Sequence, residues 1–81
     1  MKNIMMDRIT ANPKILGGKP IIRGTRLSVE FILDLLASDV SVEGILEDYP
    51  HITKDDIHAC LRYAACSCKN EIYVEFEHVA A

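Results

Sequence analysis

Apolar and polar positions follow two different rhythms along the chain. Before residue 28 the apolar residues come in three short β-favouring runs, Arg8–Thr10, Lys14–Leu16 and Pro20–Leu27. Asn12-Pro13 and Gly17-Gly18 separate them as turns. In the third run Ile21, Arg23, Thr25 and Leu27 take one side, with Ile22, Gly24 and Arg26 on the other. Gly24 inside that run predicts a bulge or a close backbone approach. Residues 1–27 therefore read as an irregular β arm.

From Ser28 the period lengthens to that of a helix. Ser28 is a natural N-cap and Glu30 falls in the first turn, where the helix dipole favours a carboxylate. Val29, Ile32, Leu33 and Leu36 lie at i, i+3, i+4 and i+7, the spacing of a core-facing stripe. Phe31 and Leu35 make this helix apolar on two sides, which suits burial against a second chain, and Asp39 marks its end. Ser41 caps a short second helix from Val42 to about Asp48, with Val42, Ile45 and Leu46 inward and Glu43, Glu47 and Asp48 outward. Pro50 closes it, and Tyr49–Ile52 is a tight connection. Thr53 and Asp56 then form a start resembling a capping box, with Asp in place of the usual Glu or Gln. Ile57, Cys60, Leu61, Ala64, Ala65 and Cys68 trace the inner face of a third and longest helix.

The last stretch is ambiguous. Ile72, Val74 and Phe76 alternate with Tyr73, Glu75 and Glu77, and β-branched and aromatic enrichment favours a strand. Ile72, Phe76 and Val79 also match helical spacing. With no evident sheet to join, the segment reads as a tail that orders on a partner. The expected architecture is thus mainly α, a three-helix core over residues 28–69 behind the arm, with an acidic tail over residues 70–81 that forms a C-terminal strand. A short helix, a tight turn and a longer helix make Ser41–Cys68 a helix-turn-helix unit.

Composition narrows the function classes. A chain of 81 residues is one small domain that hides only about 60–65% of its unfolded surface. Such a size argues for a binding module that leans on a partner rather than an enzyme with a deep cleft. Neither a membrane-spanning run nor a signal peptide is evident, so the expected location is cytoplasmic. The net charge of −3 conceals a division. Lys2, Arg8, Lys14, Lys19, Arg23 and Arg26 against Asp7 give the arm +5, while residues 28–81 carry −8. A basic arm on an acidic body points to two surfaces with different partners.

Catalytic chemistry finds no support. No Gly-x-Ser-x-Gly or His-Glu-x-x-His motif occurs, and His51, His58 and His78 have no nucleophile or carboxylate fixed beside them by spacing. Cys60, Cys66 and Cys68 are odd in number and crowded together, which is no disulfide framework and agrees with a reducing compartment. A metal site drawn from Cys66, Cys68 and His78 lacks a fourth ligand and the Cys-x-x-Cys spacing, so buried helical thiols are the simpler expectation and no cofactor is implied. Gly17-Gly-Lys-Pro departs from a P-loop at Pro20.

Binding chemistry remains. Lys19, Arg23 and Arg26, with Gly17, Gly18 and Gly24, form a basic ribbon able to grip phosphates, or else pair with carboxylates of the body or of a second subunit. If the third helix enters a major groove, its start offers Thr53, Lys54, Ile57 and His58, with Arg62 further along. Asp55 and Asp56 at the same end would repel phosphates.

The string Asn12-Pro-Lys-Ile-Leu-Gly-Gly-Lys-Pro-Ile-Ile-Arg-Gly-Thr-Arg-Leu-Ser-Val, followed by Tyr49-Pro, Thr53, Asp56-Ile and Leu61-Arg-Tyr-Ala-Ala, resembles the bacterial and archaeal family known as domain of unknown function 433. The likeness spans residues 9–65. It implies a homeodomain-like three-helix fold with a β arm, a homodimer, and a role like that of VapB-type antitoxins encoded beside PIN-like ribonuclease toxins. By that analogy the dimer binds its own operator DNA and caps the toxin. Ile72, Val74, Glu75, Phe76 and Glu77, which lie beyond the family pattern, are the expected toxin contacts, by addition of a strand to a partner sheet. The competing expectation is a dimeric protein-interaction module without DNA binding, in which Arg23 and Arg26 serve the dimer. A weaker third class is an anion or small-ligand sensor around Gly17–Arg26. Two departures from the family stand out: Asp39 where Gly commonly ends the first helix, and Gly44 in place of Glu in the second.

Overall fold

The computed structural model describes residues 7–80 in backbone and residues 7–69 in side chain. Two three-residue strands, β1 (Ile9–Ala11) and β2 (Pro20–Ile22), pair antiparallel with Ile9 opposite Ile22 and Thr10 opposite Ile21. Three helices follow: α1 (Val29–Ala37), α2 (Val42–Asp48) and α3 (Lys54–Ala80). The protein is mainly helical behind a small β arm, as the sequence predicts. None of the described helices is long and apolar enough to cross a membrane.

The arm is more turn than strand. After β1, the Asn12 carboxamide accepts from the Lys14 amide (2.9 Å) and the Asn12 carbonyl accepts from the Ile15 amide (2.8 Å). Leu16, Gly17 and Gly18 then take φ of 51°, 66° and 87° in a single 3-10 turn. Three successive left-handed residues cannot belong to a strand, so Lys14–Leu16 forms none. The Pro20–Leu27 run is likewise divided. Gly24 at φ 80° turns the chain back, with the Thr25 amide on the Ile22 carbonyl (3.0 Å), so that the Ile22 amide reaches the Leu27 carbonyl (2.9 Å). Gly24 makes neither a bulge nor a close approach: a Cβ there would meet nothing within 4 Å, and only its φ demands glycine. Adjacent Ile21 and Ile22 of β2 are both buried, and Ile21 bridges to Ser28 on the returning chain.

Helix boundaries follow local capping. The Ser28 hydroxyl accepts from the Phe31 amide (2.9 Å) and the Ser41 hydroxyl from the Gly44 amide (3.0 Å). Thr53 and Asp56 form a reciprocal capping box, with the Thr53 amide on Asp56 Oδ2 (2.9 Å) and the Asp56 amide on Thr53 Oγ1 (3.2 Å). At the end of α1 the Asp39 amide reaches Leu36 and the Val40 amide reaches Leu35 (3.1 and 3.0 Å), a Schellman motif with Asp39 at φ 69°.

The core joins arm and helices. Ile9, Ile22, Val29, Ile32, Ile45, Ile52, Ile57, Ala59 and Cys60 form one buried cluster, with Leu27, Leu33, Leu35, Leu36 and Tyr63 partly buried against it. The α3 stripe is narrower than its spacing predicts. Ile57 and Cys60 face the core, but Leu61 is 44% exposed, and Ala65, Cys66 and Cys68 also lie in solvent. So small a body covers only the first three turns of a long helix. The expected burial of Cys68 on the inner face therefore fails, while that of Cys60 holds. Over residues 71–79 α3 continues in place of the strand that the alternation favours. The side chains of Ile72, Val74, Glu75, Phe76 and Glu77 lie outside the described residues.

Candidate functional site

The basic residues of the arm have structural partners in three cases. Arg8, between the arm and the start of α3, donates to Asp56 Oδ1 (3.1 Å) and lies 3.5 Å from Asp55 Oδ2. Lys19 Nζ pairs with Glu30 Oε1 (3.0 Å), and Arg23 Nε donates to the Asp7 carbonyl (2.5 Å). Arg26 is exposed and makes no side-chain hydrogen bond or ion pair among the described residues.

Two open grooves lie beside the arm. One, of about 460 Å³, has an apolar floor of Leu16, Leu27, Phe31 and Tyr49 and a rim holding Lys19 and Arg26. The Phe31 and Tyr49 rings meet edge to face at 5.8 Å. The other, of about 330 Å³, runs between α1 and α3, with Val29, Leu33, Tyr63 and Ala64 as its floor and Glu30 and Asp34 beside Lys19.

The outward face of α3 is a separate surface. Lys54, His58 and Arg62 recur every fourth residue, all are exposed, and none is ion-paired among the described residues. Neither groove contains them, so the candidate basic residues fall into an arm group and an α3 group rather than one surface. Thr53 is exposed, but its hydroxyl is committed to the cap. Ile57 is fully buried and is a core residue, not a contact. Asp55 and Asp56, the carboxylates expected to repel phosphates, both face Arg8, and Asp56 also faces the Thr53 amide. The single Arg8 charge offsets one of these two carboxylate charges at the tip of α3.

Arg8 and Leu16 were not singled out by spacing, whereas Phe31 was read on the second apolar side of α1. Arg8 meets carboxylates far along the chain, and the Leu16 conformation has no sequence signature. Among the described residues no cluster of three or more His, Cys, Asp or Glu side chains is arranged to hold a metal. The Cys60 thiol is pushed up to about 11 by burial and by the nearby Asp56 charge, so it is unreactive at neutral pH.

Comparison with known proteins places this geometry. Over 56 residues the chain is 39% identical to the uncharacterized protein y4eO of Sinorhizobium fredii, covering 69% of this chain and 25% of that one. It thus spans a quarter of the length of that relative. Its fold is similar to the crystal structure of a DUF433 member protein from Anabaena variabilis, with a TM-score of 0.72 and 24% identity over 91% of this chain and 70% of the other. The model of the family described as protein of unknown function (DUF433) matches residues 9–64, which takes in the arm, all of α1 and α2 and the first turns of α3, and the chain belongs to that family.

Proposed function

We propose that the protein is an antitoxin-like regulator that binds operator DNA as a homodimer and neutralises a PIN-like ribonuclease toxin. The observation that carries the DNA half is the outward face of α3, where Lys54, His58 and Arg62 stand exposed while Arg8 offsets one of the two charges of Asp55 and Asp56. A helix-turn-helix dimer uses such a face in the major groove, with its two recognition helices about 34 Å apart. Arg26, exposed on the arm, and Arg23 beside it add phosphate contacts. The toxin half rests on the family resemblance and on the acidic, apolar composition of residues 71–79, which suits a basic ribonuclease surface.

One observation favours a second reading, a dimeric interaction module without DNA binding. Lys19 is tied to Glu30 and rims an apolar groove, as an interface residue would be. A gel-shift titration against the DNA upstream of the gene, together with co-purification of the product of the neighbouring reading frame, separates the two. The antitoxin reading expects a salt-sensitive shift at micromolar protein or tighter, and a stable complex with a PIN-like protein. Neither result appearing would leave only the interaction module.

A further inference from the structure

Three large apolar side chains stand exposed among the described residues: Leu16, Phe31 and Leu61. Leu16 and Phe31 line the groove beside the arm. Leu61, on α3, lines neither groove, lies outside the core cluster and is 44% exposed. Lys54, His58, Leu61, Arg62 and Ala65 fall at i, i+4, i+7, i+8 and i+11, which sets them on one face of the helix, and all five are exposed. The outward face of α3 is therefore not purely basic. It carries an apolar patch, Leu61 with Ala65, beside Arg62, and Lys54 lies two turns back toward the start of the helix.

A face of this composition is selective about the surface it meets. In the major groove of DNA, guanine, adenine and cytosine are read through hydrogen-bond donors and acceptors, whereas thymine adds a C5-methyl group. Against the first three, a leucine side chain strips water from polar base edges and returns no hydrogen bond. Against thymine it covers a methyl group, and apolar surface on both partners leaves water. The neighbouring cations do not share this preference, because phosphates lie beside every base.

We infer that α3 reads thymine through its apolar patch: Leu61 packs on the C5-methyl group of a thymine, Ala65 extends the same contact one turn further on, and Lys54 and Arg62 hold phosphates. The inference rests on the DNA half of the reading above and adds the base that the helix distinguishes.

The test compares two duplexes of the same upstream sequence, one natural and one with deoxyuridine in place of every thymidine. That exchange removes the methyl groups and keeps the base pairing. Fluorescence anisotropy gives the affinity of the full chain for each duplex, and of the Leu61→Ala variant for each. Alanine favours the helix and the position is exposed, so the variant should fold, which circular dichroism checks. The unaltered chain is expected to bind the uracil duplex more weakly, by about fourfold for each methyl group that Leu61 covers. Leu61→Ala is expected to bind the thymine duplex with a comparable loss and to discriminate less between the two. Equal affinity of the unaltered chain for both duplexes overturns the inference while leaving DNA binding in place. A Leu61→Ala variant that discriminates as strongly as the unaltered chain does the same. Binding to neither duplex overturns the DNA reading, and this inference with it.

Discussion

Asp39 holds φ 69° at the end of α1, where glycine would sit without steric cost. Asp39→Gly is expected to stabilise the fold by about 0.5–1 kcal/mol, net of the entropy glycine gains when unfolded. In a domain this small that raises Tm by several degrees, measurable by a thermal melt. An unchanged or lowered Tm would mean that the aspartate side chain contributes more there than the backbone strain costs. The thiols divide as sharply. Cys66 and Cys68 are exposed, whereas Cys60 is buried with its pKa at about 11. Alkylation at pH 8 should modify Cys66 and Cys68 and spare Cys60 until denaturant is added, as peptide mass mapping would read. Equal rates at all three sites would contradict the packing of α3 on the core.

Capping ties the elements together as well as ending them. Asp56 closes the first turn of α3 through one oxygen and holds the arm through the other, by way of Arg8. Asp56→Ala removes both contacts and should cost about 1–2 kcal/mol. Arg8→Ala removes only the ion pair and, being partly exposed, should cost less than about 1 kcal/mol. Urea midpoints at constant m-value would order the two. The reverse order would sink the double role of Asp56. Caps of this kind were legible in the sequence, because Ser28, Ser41 and the Thr53–Asp56 pair act within one helical turn. The Arg8 contact was not, since 48 residues separate its partners. Nor was the exposed flank of Leu61 and Ala65, because periodicity marks an apolar face without saying how much of it a small body can cover. Alternation misread residues 71–79 for a related reason: a strand needs a neighbour, and a helix already running supplies its own hydrogen bonds.

At the scale of the molecule, the division between a +5 arm and a −8 remainder becomes spatial. Two of the arm's cations are paired internally, Arg8 with α3 and Lys19 with α1. Among the described residues, Lys14, Arg23 and Arg26 on the arm and Lys54, Arg62 and Lys69 on α3 are exposed outside any ion pair. The three-helix arrangement was readable from three successive caps, and Lys54, His58 and Arg62 were readable as outward residues of its third helix. Their separation from Lys19 and Arg26 depends on how the arm folds over α1, which no local signal records. DNA binding by this protein requires that α3 present a phosphate- and base-contacting face. Fluorescence anisotropy of labelled upstream DNA across a salt series, comparing the unaltered chain with the Lys54→Ala, Arg62→Ala variant, measures that face. Binding is expected to weaken steeply with salt, with a slope of log K against log salt that falls by up to about two in the variant. Binding with the same slope in both proteins, or none at micromolar concentration and low salt, would contradict it.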